Sequence, residues 1–179
     1  YGKKMMASGS VTIINNAIDL DDYAFSPEIR QQYRKELNIP ESAFVIGHVG
    51  RFMYQKNHAF LIEVFKEVAK RKHNAILLLI GDGELRPAIE EKVQNYHLSD
   101  KVRFLGLRKD VKYIYNCMDI FVLPSWYEGL PVVSIEAEAN GVYCLFSDHV
   151  TAECKLTNYV RFLRLTDSSV VWANAILSI

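Results

Sequence analysis

Between residues 44 and 146 the chain alternates two kinds of apolar pattern. Phe44 to Val49, Ala75 to Ile80, Ile120 to Leu123 and Val142 to Phe146 are short, nearly unbroken apolar runs, the signature of strands buried on both faces. Lys101 to Leu105 supplies a further short strand ahead of Gly106. Between these runs lie stretches with helical spacing. Asn57 stands as the cap of a helix in which Phe60, Leu61, Val64, Phe65, Val68 and Ala69 recur on one stripe. Gly81-Asp82-Gly83 precedes a helix with Leu85, Ile89, Val93 and Tyr96 on one face, a short helix runs from Asp110 to Asn116, and another from Pro131 to Asn140. Buried strands alternating with amphipathic helices predict an α/β fold with a doubly wound parallel sheet, because each crossover helix must bury its stripe against the sheet. Ligands of such sheets sit outside the carboxyl ends of the strands, which directs attention to loops 50–57, 81–84, 106–110 and 124–131.

The flanks add three elements. Ser10 to Asn15 reads as a short strand leading into a loop with Asp19, Asp21 and Asp22. Ser26-Pro27-Glu28 then supplies the N-cap, first-turn proline and first-turn acid of a helix running to about Leu37, which Asn38-Ile39-Pro40 ends. Asp167 to Ile179 reads as a helix without a stop signal, and position 1 is Tyr1 rather than methionine, so the expectation is a piece of a longer polypeptide.

Composition narrows the function classes. At 179 residues, with 50% hydrophobic and 23% charged residues, the chain suits one ordinary globular domain. Twenty-one basic residues balance twenty-one acidic ones, so no overall field draws it to nucleic acid or an anionic membrane, and any bound anion must be gripped locally. The basic run Lys101, Arg103, Arg108, Lys109 and Lys112 reads as a solvated face. Cys117, Cys144 and Cys154 lack metal-ligand spacing and read as buried apolar residues in a reducing cytoplasm. No apolar run reaches the roughly 18 to 20 residues of a membrane span. The five histidines show no ligand or triad pattern, with His58 alone near enough to the candidate cations to touch a phosphate.

The segment from Pro124 to Ala137 carries the most specific chemistry. A strand ends, Gly129 turns the chain, and Pro131 opens a helix, leaving backbone N–H groups around Gly129, Leu130 and Val132 at a positive helix end suited to phosphate. Glu128 lies in the loop, while Glu136 lies five residues beyond Pro131, about 7.5 Å along the axis at about 1.5 Å per residue. That matches the reach of a nucleoside diphosphate: with phosphate at the helix start, Glu136 can take the ribose hydroxyls and Glu128 can face the sugar. Arg51, after Gly50, and Lys56 supply cations at the same rim, a guanidinium fork and a point charge for a departing diphosphate. Gly81-Asp82-Gly83-Glu84 lacks the third glycine of a dinucleotide loop and reads as a tight turn lining the cleft. Trp126 and Tyr127 read equally as rim packing or as walls of a sugar pocket.

Five segments in order, Gly47-His48-Val49-Gly50-Arg51 with Lys56-Asn57, Ile80-Gly81-Asp82-Gly83, Phe104-Leu105-Gly106, Asp119 to Ser125, and the Glu128/Glu136 pair, resemble the group 1 family of retaining glycosyltransferases. The resemblance runs from about residue 8 onward and is closest to members that build capsular or exopolysaccharide. It implies that residues 1–179 form the Rossmann-like, donor-binding half of a GT-B fold, with the acceptor held by an N-terminal domain outside this chain. By the resemblance Arg51 and Lys56 hold the donor diphosphate, Glu136 the ribose, and Glu128 the donor sugar beside backbone contacts from Gly129 and Leu130. Gly50 and Gly81 line the donor site, and Leu107 and Arg108 fall where the family meets the nucleobase. Gly141-Val142-Tyr143 lacks the proline that commonly follows this glycine in the family. The implied activity is transfer of a hexosyl group from a nucleotide-diphosphate sugar, a UDP-sugar foremost, to a polysaccharide or lipid-linked glycan. No metal or other cofactor and no nucleic-acid partner is expected, and contact with a membrane is expected only through parts outside this chain. The alternatives are a nucleotide-sugar-binding module without transfer, or a sugar-nucleotide epimerase of related architecture.

Overall fold

The structure, a computed structural model, describes residues 17–179, so the strand expected over Ser10–Asn15 lies outside the described residues. Helix α1 spans Pro27–Glu36, strand β1 Phe44–Val49, helix α2 His58–Ala69, strand β2 Ala75–Ile80 and helix α3 Arg86–Asn95. Then come β3 Val102–Gly106, α4 Val111–Ile114, β4 Ile120–Leu123, α5 Val132–Ala139, β5 Tyr143–Ser147, β6 Val160–Leu163 and α6 Ser169–Leu177. The strands form one sheet in the order β3-β2-β1-β4-β5-β6, every neighbouring pair parallel. The chain therefore winds outward from β1 through β2 to β3, then returns to lay β4 against the other side of β1. The C-terminal ends of β1 and β4 flank the switch point, where crossovers leave in opposite directions and a crevice opens.

Successive side chains of each strand go to opposite faces, giving two cores. On one face Ile46, Leu77, Leu79, Val122 and Leu145 pack with Leu61 and Phe65 of α2, Ile89 of α3 and Trp172 of α6. On the other, Val45, Leu78, Phe121 and Phe146 pack with Ile114, Tyr115 and Ala137. The doubly wound prediction holds, and β1, β2 and β4 carry the predicted bounds. Three details differ. The expected Asp110–Asn116 helix is one turn of α-helix followed by a 3₁₀ turn over Tyr115–Cys117. Asn57 does precede α2, but in a left-handed conformation with φ 55° and without a side-chain cap bond, so it turns the chain rather than capping the helix. Strand β6 was not foreseen: Val160–Leu163 is four residues long, with Arg161 exposed at the sheet edge, too short and too mixed for a pattern argument.

An ion network fastens α1 beneath the sheet. The Ser26 hydroxyl caps the helix by accepting from Ile29 N–H at 3.2 Å. Arg34, 1% exposed, donates to the carbonyls of Glu41 at 2.8 Å and Cys117 at 2.9 Å and pairs with Asp119 at 3.1 Å. Asp119 also receives Arg30 at 2.7 Å and the Val45 N–H at 2.7 Å, joining α1 to the beginnings of β1 and β4. Replacing Asp119 with alanine leaves the Arg34 guanidinium uncompensated. The expected outcome in urea unfolding is a loss of about 2 to 3 kcal/mol with an unchanged denaturant slope.

Candidate functional site

The loop after β1 and the loop after β4 meet over the switch point and are joined by a polar clamp. After β1 the chain makes a 3₁₀ turn over Tyr54–Lys56. Lys56 Nζ lies 2.6 Å from Glu128 Oε1, and the Ser125 hydroxyl donates to the same oxygen at 2.8 Å. Gln55 Nε2 donates to Glu128 Oε2 at 3.1 Å and to the Tyr127 carbonyl at 2.9 Å. The Gln55 carbonyl accepts from Trp126 N–H at 2.8 Å. Tyr54 stacks on Trp126 with centroids 5.9 Å apart and rings 7° from parallel. The Lys56 and Glu128 side chains are 14% and 8% exposed. Lys56 is therefore no free cation and Glu128 no solvated loop acid; they form one shielded pair.

Beside this clamp the chain enters α5 through Gly129, Leu130 and Pro131. A Cβ placed on Gly129 would meet nothing within 4 Å, so the turn faces open space. Pro131 occupies the N-cap position without a side-chain cap bond, and the first turn of α5 contains no acid, so its positive end is left uncompensated. Glu136 sits further along α5 and is partly exposed. Its Oε1 accepts from the Tyr23 hydroxyl at 2.9 Å and its Oε2 from the Tyr115 hydroxyl at 2.8 Å.

A cleft of about 500 Å³ lies on the β2–β3 side of the same rim. Gly50, Arg51, Gly81, Asp82, Leu107 and Arg108 are among its walls. Arg51 is exposed. Leu107 is 82% exposed at the mouth, whereas the Arg108 guanidinium is spent on Asp110, donating to its two oxygens at 2.8 and 2.6 Å. Gly81 and Gly83 are required by close approach. Gly81 has φ 133° and a Cβ there would overlap the Gly50 carbonyl oxygen; one on Gly83 would lie 2.5 Å from the Phe52 carbonyl oxygen. The Asp82 carbonyl accepts from Phe52 N–H at 3.0 Å, locking the turn after β2 to the one after β1.

Residues 29–163 match the model of the family described as glycosyl transferases group 1. The chain belongs to the group 1 glycosyltransferase family. A putative glycosyltransferase of Bacillus subtilis, EpsF, is 36% identical over 177 residues, covering 98% of this chain and 46% of that protein. The UDP-Gal:alpha-D-GlcNAc-diphosphoundecaprenol alpha-1,3-galactosyltransferase of Escherichia coli is 31% identical over 153 residues, covering 83% of this chain and 39% of that enzyme. In structure the chain is similar to Anabaena Alr3699/HepE, solved in complex with UDP and glucose. The TM-score is 0.83 at 22% identity, over 93% of this chain and 46% of that one. The fold is thus a Rossmann-like half of the GT-B type, and the chain spans about half the length of the curated relatives it matches.

For this group 1 glycosyltransferase chain, the structure gathers the sequence-predicted residues in two sets. Gly50, Arg51, Gly81, Leu107 and Arg108 line the cleft, while Lys56, Glu128, Gly129 and Leu130 lie at the α5 turn and Glu136 further along that helix. Sequence reasoning missed Gln55, Ser125, Tyr23 and Tyr115. Gln55 was adjacent to a residue already chosen, but the tyrosines reach Glu136 from 113 and 21 residues away, beyond any local pattern. The three cysteines are buried free thiols, as expected. No group of three or more His, Cys, Asp or Glu suited to a metal occurs among the described residues. Nor is any helix among them long and apolar enough to cross a membrane.

His58 does not reach a phosphate. It is 2% exposed, stacked on Phe52 at 4.0 Å and edge-on to His48 at 4.6 Å. One nitrogen of His48 meets the Val122 carbonyl at 2.8 Å, while His48 Nε2 and both His58 nitrogens find no partner among the described residues. Burial, with a small contribution from nearby Lys56, holds His48 down to about 4. Burial, then His48 and Lys56, holds His58 down to about 2. Both are neutral in the fold, whereas unfolded imidazoles take up protons below about 6.5. Stability is therefore full above that pH and falls as the pH drops from about 6.5 toward 4, at up to about 1.4 kcal/mol per unit for each histidine. Urea unfolding at stepped pH should show this slope, and His58→Phe should reduce it; an unchanged slope would contradict the assignment.

Proposed function

We propose that this chain is the donor-binding half of a retaining glycosyltransferase. The observation that carries the reading is the N-terminus of α5, without a cap bond or a first-turn acid and open at Gly129, which follows the loop held by the Lys56–Glu128 clamp; the cleft with the exposed Arg51 lies at the same rim of the sheet. A diphosphate at that turn would receive backbone N–H groups from the helix start and the guanidinium of Arg51. Glu136 would accept from the ribose hydroxyls, Leu107 would border the base, and Glu128, held by Lys56, Ser125 and Gln55, would face the sugar. The donor is a UDP-sugar and the acceptor a polysaccharide or lipid-linked glycan. The E. coli relative named as a UDP-Gal-dependent transferase, the Anabaena structure holding UDP and glucose, and an Erwinia amylovora relative named for amylovoran biosynthesis support this reading.

In the transfer the bond from the anomeric carbon to the diphosphate oxygen breaks, a bond to an acceptor hydroxyl oxygen forms, and that hydroxyl's proton passes to the departing diphosphate. Negative charge then accumulates on the leaving diphosphate. Fixed donors aimed at that charge are worth most in the transition state. The helix end and Arg51 would provide them without a divalent ion, while Lys56 holds Glu128 in place beside them.

Calorimetric titration with UDP, GDP and ADP tests the reading. UDP should bind most tightly, and Arg51→Ala and Glu136→Ala should each weaken it by about 1.5 to 3 kcal/mol, the usual worth of a charged hydrogen bond. Unchanged affinity in both variants would overturn the site.

A further inference from the structure

Glu136 is held rather than free. Each carboxylate oxygen already accepts one phenolic hydroxyl, Oε1 from Tyr23 at 2.9 Å and Oε2 from Tyr115 at 2.8 Å. An ionised carboxylate offers about four acceptor positions, so one remains on each oxygen, side by side. That pairing matches two hydroxyls on adjacent carbons and matches a lone hydroxyl poorly.

The two tyrosines pack on each other with ring centroids 6.3 Å apart, and each has further anchors of its own. Tyr115 is fully buried and sits edge-on to Phe121 at 6.0 Å. Tyr23 closes the 3₁₀ turn over Asp21–Tyr23. Its carbonyl accepts from Asn140 Nδ2 at 2.9 Å, and neighbouring Asp22 pairs with Lys112 at 2.7 Å. Burial first, then the bond to Glu136, pushes Tyr23 up to about 12; burial also pushes Tyr115 up. Both phenols therefore remain donors at neutral pH, and neither competes with Glu136 for negative charge. A glutamate on a partly exposed helix face otherwise samples many rotamers, and ordering it on ligand binding carries an entropic cost. Here the order exists beforehand.

We propose that Tyr23 and Tyr115 are positioning residues that fix the Glu136 carboxylate for bidentate acceptance from a cis-diol, so that the site prefers ribonucleotides to 2′-deoxyribonucleotides. The inference rests on the donor-site reading above. It adds Tyr23, which lies ahead of α1 and brings the segment preceding the first helix into the nucleotide site.

The test compares the nucleoside diphosphate that binds most tightly among UDP, GDP and ADP with its 2′-deoxy counterpart, by calorimetry. The full chain is used unaltered and as Tyr23→Phe and Tyr115→Phe, with thermal melting of each variant. The unaltered protein should prefer the ribonucleotide. Each phenylalanine variant should bind it about three- to tenfold more weakly, the range of one hydrogen bond, with a smaller change for the deoxy compound, so the preference shrinks. A purely structural role would lower the melting temperature and leave the ribo-to-deoxy ratio intact; that result in the folded variants overturns the proposal. Should Tyr115→Phe fail to fold, Tyr23→Phe, on a partly exposed turn, decides alone. Binding without a ribonucleotide preference in the unaltered protein overturns this inference and leaves the donor site standing. Absence of binding by all three nucleotides overturns both.

Discussion

The ion pair between Lys56 and Glu128, at 2.6 Å and largely shielded from water, joins the two halves of the sheet where they would otherwise part. The β1 and β4 strands are neighbours, but their crossovers leave in opposite directions, and nothing in the ladder requires the loops above them to touch. The clamp makes them touch. Once Gln55 and Lys56 grip residues 126–128, the chain enters α5 through Gly129 from a fixed starting point. A buried pair of this kind contributes little net stability because desolvation offsets attraction. Its effect is on geometry: it fixes where a helix begins.

Beneath the clamp the fold spends some stability. His48 and His58 keep three ring nitrogens without partners among the described residues, although buried polar atoms are ordinarily satisfied. They lie under Gly50 and near the Lys56 stem, where a Cβ on Gly50 would come within 3.0 Å of both His48 Nε2 and Lys56 Cδ. Neutral imidazoles there fill space beneath the Lys56–Glu128 pair without adding charge to it. Such local conflict is common under functional surfaces.

Much of this architecture was legible in the chain itself. The apolar runs of β1, β2 and β4 are continuous because helices cover both faces, and continuous runs have sharp ends. The mixed sequence of β6 takes its structure from pairing with β5, which no local pattern records. The site divides in the same way. Glu136 could be chosen because its distance from a helix start is fixed by helical rise, and Arg51 because it follows a strand end. Tyr23 and Tyr115 converge on Glu136 only through the tertiary fold, and the pairing of Lys56 with Glu128 merged two roles that spacing alone keeps apart. His58 misled for a plain reason: proximity in sequence to cations says nothing about which side of the backbone an imidazole takes.

The contact between the turns after β1 and β2 constrains how the cleft can diverge. With the backbone of residues 50–52 seated directly against Gly81 and Gly83, neither turn has slack for an added residue or a side chain at those glycines. Variation in pocket shape must then be displaced outward, to the rim at Leu107, whose side chain is almost wholly exposed. The floor of the cleft is thus fixed by backbone against backbone, and only its upper edge is free to change shape.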